Sequence, residues 1–89
     1  MKHIIKRHGK EEHFDAKKIY GSCYAACIAA GTTHLEAEKL CERVTKELKK
    51  WVENKQEITS TQIFKQVIKI LRKYHKEGAF MYETHRDIA

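Results

Sequence analysis

The chain has 89 residues, 42% of them hydrophobic and 34% charged, with a formal net charge of +6. That length suits a single domain, residues 1–89, with one small core, and it leaves little room for a large buried active site. The positive balance favours phosphate-bearing partners, whether a nucleotide, a nucleic acid or an acidic membrane, without choosing among them; a solvated, lysine-rich helical surface accounts for it as well.

Proline is absent, which suits a helical chain with few breaks. No apolar stretch approaches the length of a membrane span. Residues 1–10 are too polar and basic for a signal peptide. The sequence therefore reads as soluble and cytoplasmic. The three cysteines, Cys23, Cys27 and Cys41, are an odd number for a disulfide framework and contain no C-x-x-C pair.

His3-Ile4-Ile5-Lys6 is a short β-prone run. His8-Gly9 is a turn signal, and residues 10–14 return as a second strand, giving a small hairpin. Asp15 is placed to cap a helix starting at Ala16. Ile19, Cys23, Ala26, Cys27 and Ala30 give that helix one apolar face, and Gly31 ends it. Thr33-x-x-Glu36 is a capping box for a second helix. Its stripe is Ala37, Leu40, Cys41, Val44, Leu48, Trp51 and Val52. Residues 54–57 read as a polar connector. A second capping box, Thr59-x-x-Gln62, opens a third helix with Ile63, Val67, Ile70, Leu71 and Tyr74 inward and Phe64 and Ile68 widening the stripe. Gly78 reads as a break, and residues 79–88 as a short last helix bearing Phe80, Met81 and Tyr82. The predicted architecture is mainly α: a small N-terminal β-hairpin on a four-helix cluster.

A nucleotide needs cations for its phosphates and an apolar slot for its base. Lys6 and Arg7 lie just before the hairpin turn, and Lys17 and Lys18 in the first turn of the following helix, where backbone N–H groups also attract anions. A solvated basic hairpin is the other reading of this cluster. Glu12 could accept from an adenine amine or a ribose hydroxyl, or simply pair with Lys10. Ile4 and Ile19 could flank a purine or pack in the core. The glycines stand singly, so a P-loop is excluded. Cys23 and Cys27, one helical turn apart, could reach a metal together with His34 or Cys41; the reading preferred is that small cysteines fill an apolar face and hold no metal. The six histidines are scattered and read as exposed. Lys65, Lys69, Arg72, Lys73 and Lys76, with Lys46, Lys49 and Lys50, could form a phosphate-tracking face, so a small basic nucleic-acid-binding protein is the alternative.

The run Ile4-Ile5-Lys6-Arg7-His8-Gly9-Lys10-x-Glu12-x-Phe14-Asp15-x-x-Lys18-Ile19 resembles the opening of the ATP-cone family, which begins with a Lys-Arg-Asp-Gly hairpin, then Phe-Asp and Lys-Ile. Ile58-Thr59-Ser60-Thr61-Gln62-Ile63 is similar to its middle element, and Ala79-x-x-Tyr82-x-x-x-Arg86 to its closing helix. The resemblance implies a hairpin capping four helices and a regulatory domain that binds ATP or dATP, with or without magnesium, and catalyses nothing. Carried over residue by residue, it implies that Lys6 and Arg7 hold phosphates with help from Lys18. Glu12 would lie near the sugar or base, Ile4 and Ile19 would line the adenine slot, and Ser60 would sit near the base. Members of the family occur on ribonucleotide reductase large subunits and in the repressor of ribonucleotide reductase genes. Three departures stand out. His8 replaces the usual Asp; Phe64 replaces a polar residue found in some members; and no reductase barrel or zinc ribbon follows the cone. The resemblance thus implies action through self-association or a partner protein, ribonucleotide reductase among the candidates.

Overall fold

The computed structural model describes residues 4–7, 10–55 and 57–84, with side chains from Phe14 onward. Within these residues the order is β1 (Ile4–Arg7), β2 (Lys10–His13), α1 (Ala16–Ala29), α2 (His34–Glu53), β3 (Glu57–Thr59), α3 (Ser60–Tyr74) and α4 (Lys76–Thr84). The turn expected at His8-Gly9, and the end of the last helix expected at residues 85–88, lie outside the described residues.

Local chemistry sets most helix ends. The Asp15 carboxylate accepts from the Lys17 N–H at 3.0 Å, capping α1. At the other end Gly31 takes φ 94°, a conformation glycine adopts without steric cost. The Gly31 N–H donates to the Ile28 carbonyl and the Thr32 N–H to the Cys27 carbonyl. This pair of bonds is the Schellman motif, and it satisfies carbonyls that the helix end would otherwise orphan. Both expected capping boxes form: Thr33 with Glu36 on α2 and Thr59 with Gln62 on α3.

The core follows the apolar stripes. Cys23, Ala26 and Cys27 of α1, with Ala37, Cys41, Val44, Leu48 and Val52 of α2, are buried. Ile63, Val67, Ile68, Ile70 and Leu71 of α3 face them. The spacing of three and four residues puts each set on one helix face, as burial of an amphipathic helix requires. α1 packs on α2 and α4, and α3 packs on α2 and α4.

The structure corrects the sequence reading at three places. Residues 54–57 are not connector throughout, because Glu57 opens β3. This strand runs parallel to β1, so that the sheet order is β2-β1-β3. Its middle residue, Ile58, is 1% exposed. Three residues carry no period, and the strand exists because β1 supplies its hydrogen-bonding partner. Second, Gly78 does not break the chain. It is buried inside α4, and the break falls at His75, whose backbone is extended (φ −157°, ψ 100°). Third, His75 is half-buried rather than exposed. Its Nδ1 accepts from the Gly78 N–H at 2.9 Å, so a histidine takes the place of an N-cap at the start of α4.

Candidate functional site

The backbone pairing of β1 brings several of the residues named from the sequence near the start of α3. Lys6 lies level with Thr59 and Ile4 with Glu57 in the parallel pairing. Thr59 is the N-cap of α3 and Ser60 its first residue. The capping box uses the N–H of Gln62, which donates to the Thr59 hydroxyl at 3.1 Å, and that of Thr59, which donates to the Gln62 side chain at 3.0 Å. The first-turn amides of Ser60 and Thr61 have no acceptor within the helix. Together with the helix dipole, such amides make a seat for an anion.

In the antiparallel pairing Glu12 lies level with Ile5 and Glu11 with Lys6. At the level of the backbone, Ile4, Lys6, Arg7, Glu12 and Ser60 therefore come to one end of the fold. The side chains of Ile4, Lys6, Arg7 and Glu12 lie outside the described residues. Lys18 is exposed in the first turn of α1. Ile19 is half-buried and packs against the core. Both follow β2 through the short link of Phe14 and Asp15.

Phe64 has a structural occupation. Its ring stacks on Tyr82 of α4, with centroids 5.6 Å apart, so it contributes to the contact of α3 with α4. On the opposite face Lys73 donates to Glu47 at 2.7 Å and the Tyr74 hydroxyl donates to the same carboxylate. Arg43 lies over the Tyr74 ring, 5.2 Å from its centroid. The bond from Lys73, and then that from Tyr74, hold the Glu47 carboxyl below its usual range. This network ties α2 to α3, and no local pattern in the sequence announced it, because its members are 26 and 27 residues apart.

The basic face of α3 is partly neutralised. Arg72 lies 3.9 Å from Glu83 and Lys73 is paired with Glu47. That leaves a less continuous positive stripe than the sequence suggests, which weakens the case for phosphate tracking.

The three cysteines are each fully buried, as the packing reading expects. Their sulfurs nevertheless all lie within 4.8 Å of one another. The pair on α1 was visible as an i, i+4 spacing; the convergence of Cys41 on it depends on how α2 packs.

Among the described residues no helix is long and apolar enough to cross a membrane. Comparison with known protein families matches residues 2–87 to the ATP cone domain. No curated protein and no solved structure matches the chain.

Proposed function

The chain belongs to the ATP cone domain family, and from that premise we propose that it binds an adenine nucleotide, ATP or dATP, as a regulatory sensor that catalyses no reaction. The observation that carries this reading is the extent of the match, which takes in nearly the whole chain. The proposed site lies at the end of the fold where β1 meets α3, with the hairpin of β1 and β2 as a cap over the four helices. Lys6 and Arg7 hold the phosphates and Lys18 assists them. Ile4 and Ile19 flank the adenine, Ser60 sits beside it, and Glu12 faces the sugar or base. The register of Lys6 with Thr59 supports this arrangement, because it brings two kinds of anion donor together: basic side chains and first-turn amides. A magnesium ion can accompany the triphosphate.

Binding alone is not a signal. The chain acts by changing contacts with a second copy or with another protein, ribonucleotide reductase being the kind of partner that the family suggests. A ligand shifts such an equilibrium only by its difference in affinity for the two states.

Calorimetric titration with ATP, dATP and GTP, each with and without magnesium, tests the proposal. An adenine nucleotide should bind at least about tenfold more tightly than GTP. At about 100 times its dissociation constant it should add about 2.7 kcal/mol of stability. The absence of binding heat, together with an unchanged melting temperature, would overturn the reading. A melting temperature raised by single-stranded or duplex nucleic acid alone would establish the alternative of a small basic nucleic-acid-binding protein.

A further inference from the structure

Apart from the nucleotide site, the densest gathering of reactive side chains among the described residues is the trio of Cys23, Cys27 and Cys41. Cys23 and Cys27 stand one turn apart on α1, so both sulfurs leave the same helix face. Cys41 comes from the facing side of α2. All three are 0% exposed, and each sulfur lies within 4.8 Å of the other two.

We propose that these three cysteines form a buried trithiolate site for a thiophilic metal ion, with Cu(I) as the ion whose coordination it completes. A metal–sulfur bond of about 2.3 Å places the three sulfurs of a trigonal site about 4.0 Å apart. The observed separations need only a small side-chain adjustment to reach it. Soft thiolate donors select Cu(I) and Zn(II) over harder ions. A structural zinc ion takes four ligands, whereas the trio supplies three, and a histidine beside it has one ring nitrogen engaged. His75 borders Cys27 across Gly78: a Cβ built on Gly78 would stand 3.1 Å from His75 Nδ1 and 3.6 Å from the Cys27 sulfur. That nitrogen accepts the Gly78 N–H. Among the described residues the cluster holds three sulfurs and no fourth ligand, which suits Cu(I), an ion content with three thiolates.

Binding requires all three to deprotonate: one Cu(I) and three thiols give one tricoordinate thiolate complex and three released protons, with no change in oxidation state. The buried negative charge is costly and is offset by three metal–sulfur bonds, so the metal holds α1 against α2.

The test uses the reduced full chain, prepared without a metal-affinity step and kept anaerobic. Cu(I) is titrated in competition with a chromophoric Cu(I) chelator, and Zn(II) in parallel with a metallochromic dye. One equivalent of Cu(I) should be withdrawn from the chelator. X-ray absorption should then show three sulfur neighbours and no nitrogen or oxygen. Cys41→Ala should lower the affinity at least 100-fold while circular dichroism confirms that the helices remain; if that variant unfolds, Cys27→Ala and the absorption spectrum of the parent chain decide. Failure of the folded parent chain to take Cu(I), or a copper ion bound through nitrogen or oxygen, overturns the proposal. Tighter binding of Zn(II) with a nitrogen neighbour overturns the assignment to copper.

Discussion

Replacing Ile58 by Ala probes the strand that the tertiary structure adds, and it links stability to the proposed site. Ile58 is 1% exposed and forms the middle of β3. Ile58→Ala removes three carbon groups, each worth about 0.8 kcal/mol when buried, or about 2.4 kcal/mol in transfer alone. The cavity left behind raises this to about 3 kcal/mol, within the range of about 2–5 known for such truncations. A domain of this size has about 5–13 kcal/mol of stability in all. The loss should therefore lower the melting temperature by roughly 12–24 °C. Urea and thermal unfolding, followed by circular dichroism, measure it. Thr61→Ala, at an exposed position in the first turn of α3, is the control and should stay within about 0.5 kcal/mol of the parent. Since β3 carries β1 to the N-terminus of α3, Ile58→Ala should also weaken ATP binding at temperatures where the variant is still folded. A destabilisation under about 1 kcal/mol would mean that the Ile58 side chain is not packed in the core.

Three further outcomes are expected. Arg7→Ala removes a charged hydrogen-bond donor and should cost about 1.5–3 kcal/mol of ATP binding by calorimetry; unchanged affinity would remove Arg7 from the site. Glu47 has a folded pKa below its unfolded value, owing first to Lys73 and then to Tyr74. Its contribution is therefore present at neutral pH and is lost as pH falls through the carboxylate range. The stability gap between the parent and Glu47→Gln should be at most about 1 kcal/mol, since the side chain is 32% exposed. The gap should close on acidification, and a gap that widened would contradict the pairing. Phe80 is 60% exposed on α4, beside the half-buried Met81 and Tyr82, and it offers an apolar contact for association. Sedimentation with and without ATP should show a nucleotide-dependent shift of about 1.4 kcal/mol for a tenfold difference in affinity, and Phe80→Glu should abolish it. Equal nucleotide response in both chains would move the interface elsewhere.

Features with local causes were legible along the chain. Asp15, the Thr33 and Thr59 capping boxes and Gly31 each act within a few residues on the chain. The helix starts they mark, and the end of α1, therefore fall where the sequence places them. The apolar stripes are equally local, because a period of 3.6 puts Val44, Leu48 and Val52 on one face before any partner is known. The candidate nucleotide residues were legible through a motif contiguous along residues 4–19, with Ser60 added from a second one. Features that depend on distant partners emerge only from the packing of the elements. Three residues became β3 because β1 lies alongside them, some fifty positions earlier in the chain. Gly78 reads as a helix breaker until α1 is packed against α4; then the absence of a side chain leaves space for His75 and Cys27. Cys41 met Cys23 and Cys27 only when α2 docked on α1. Periodicity told each helix which face to bury, but the choice of which sulfurs share one volume belongs to the packing of helices whose contacts no local pattern encodes.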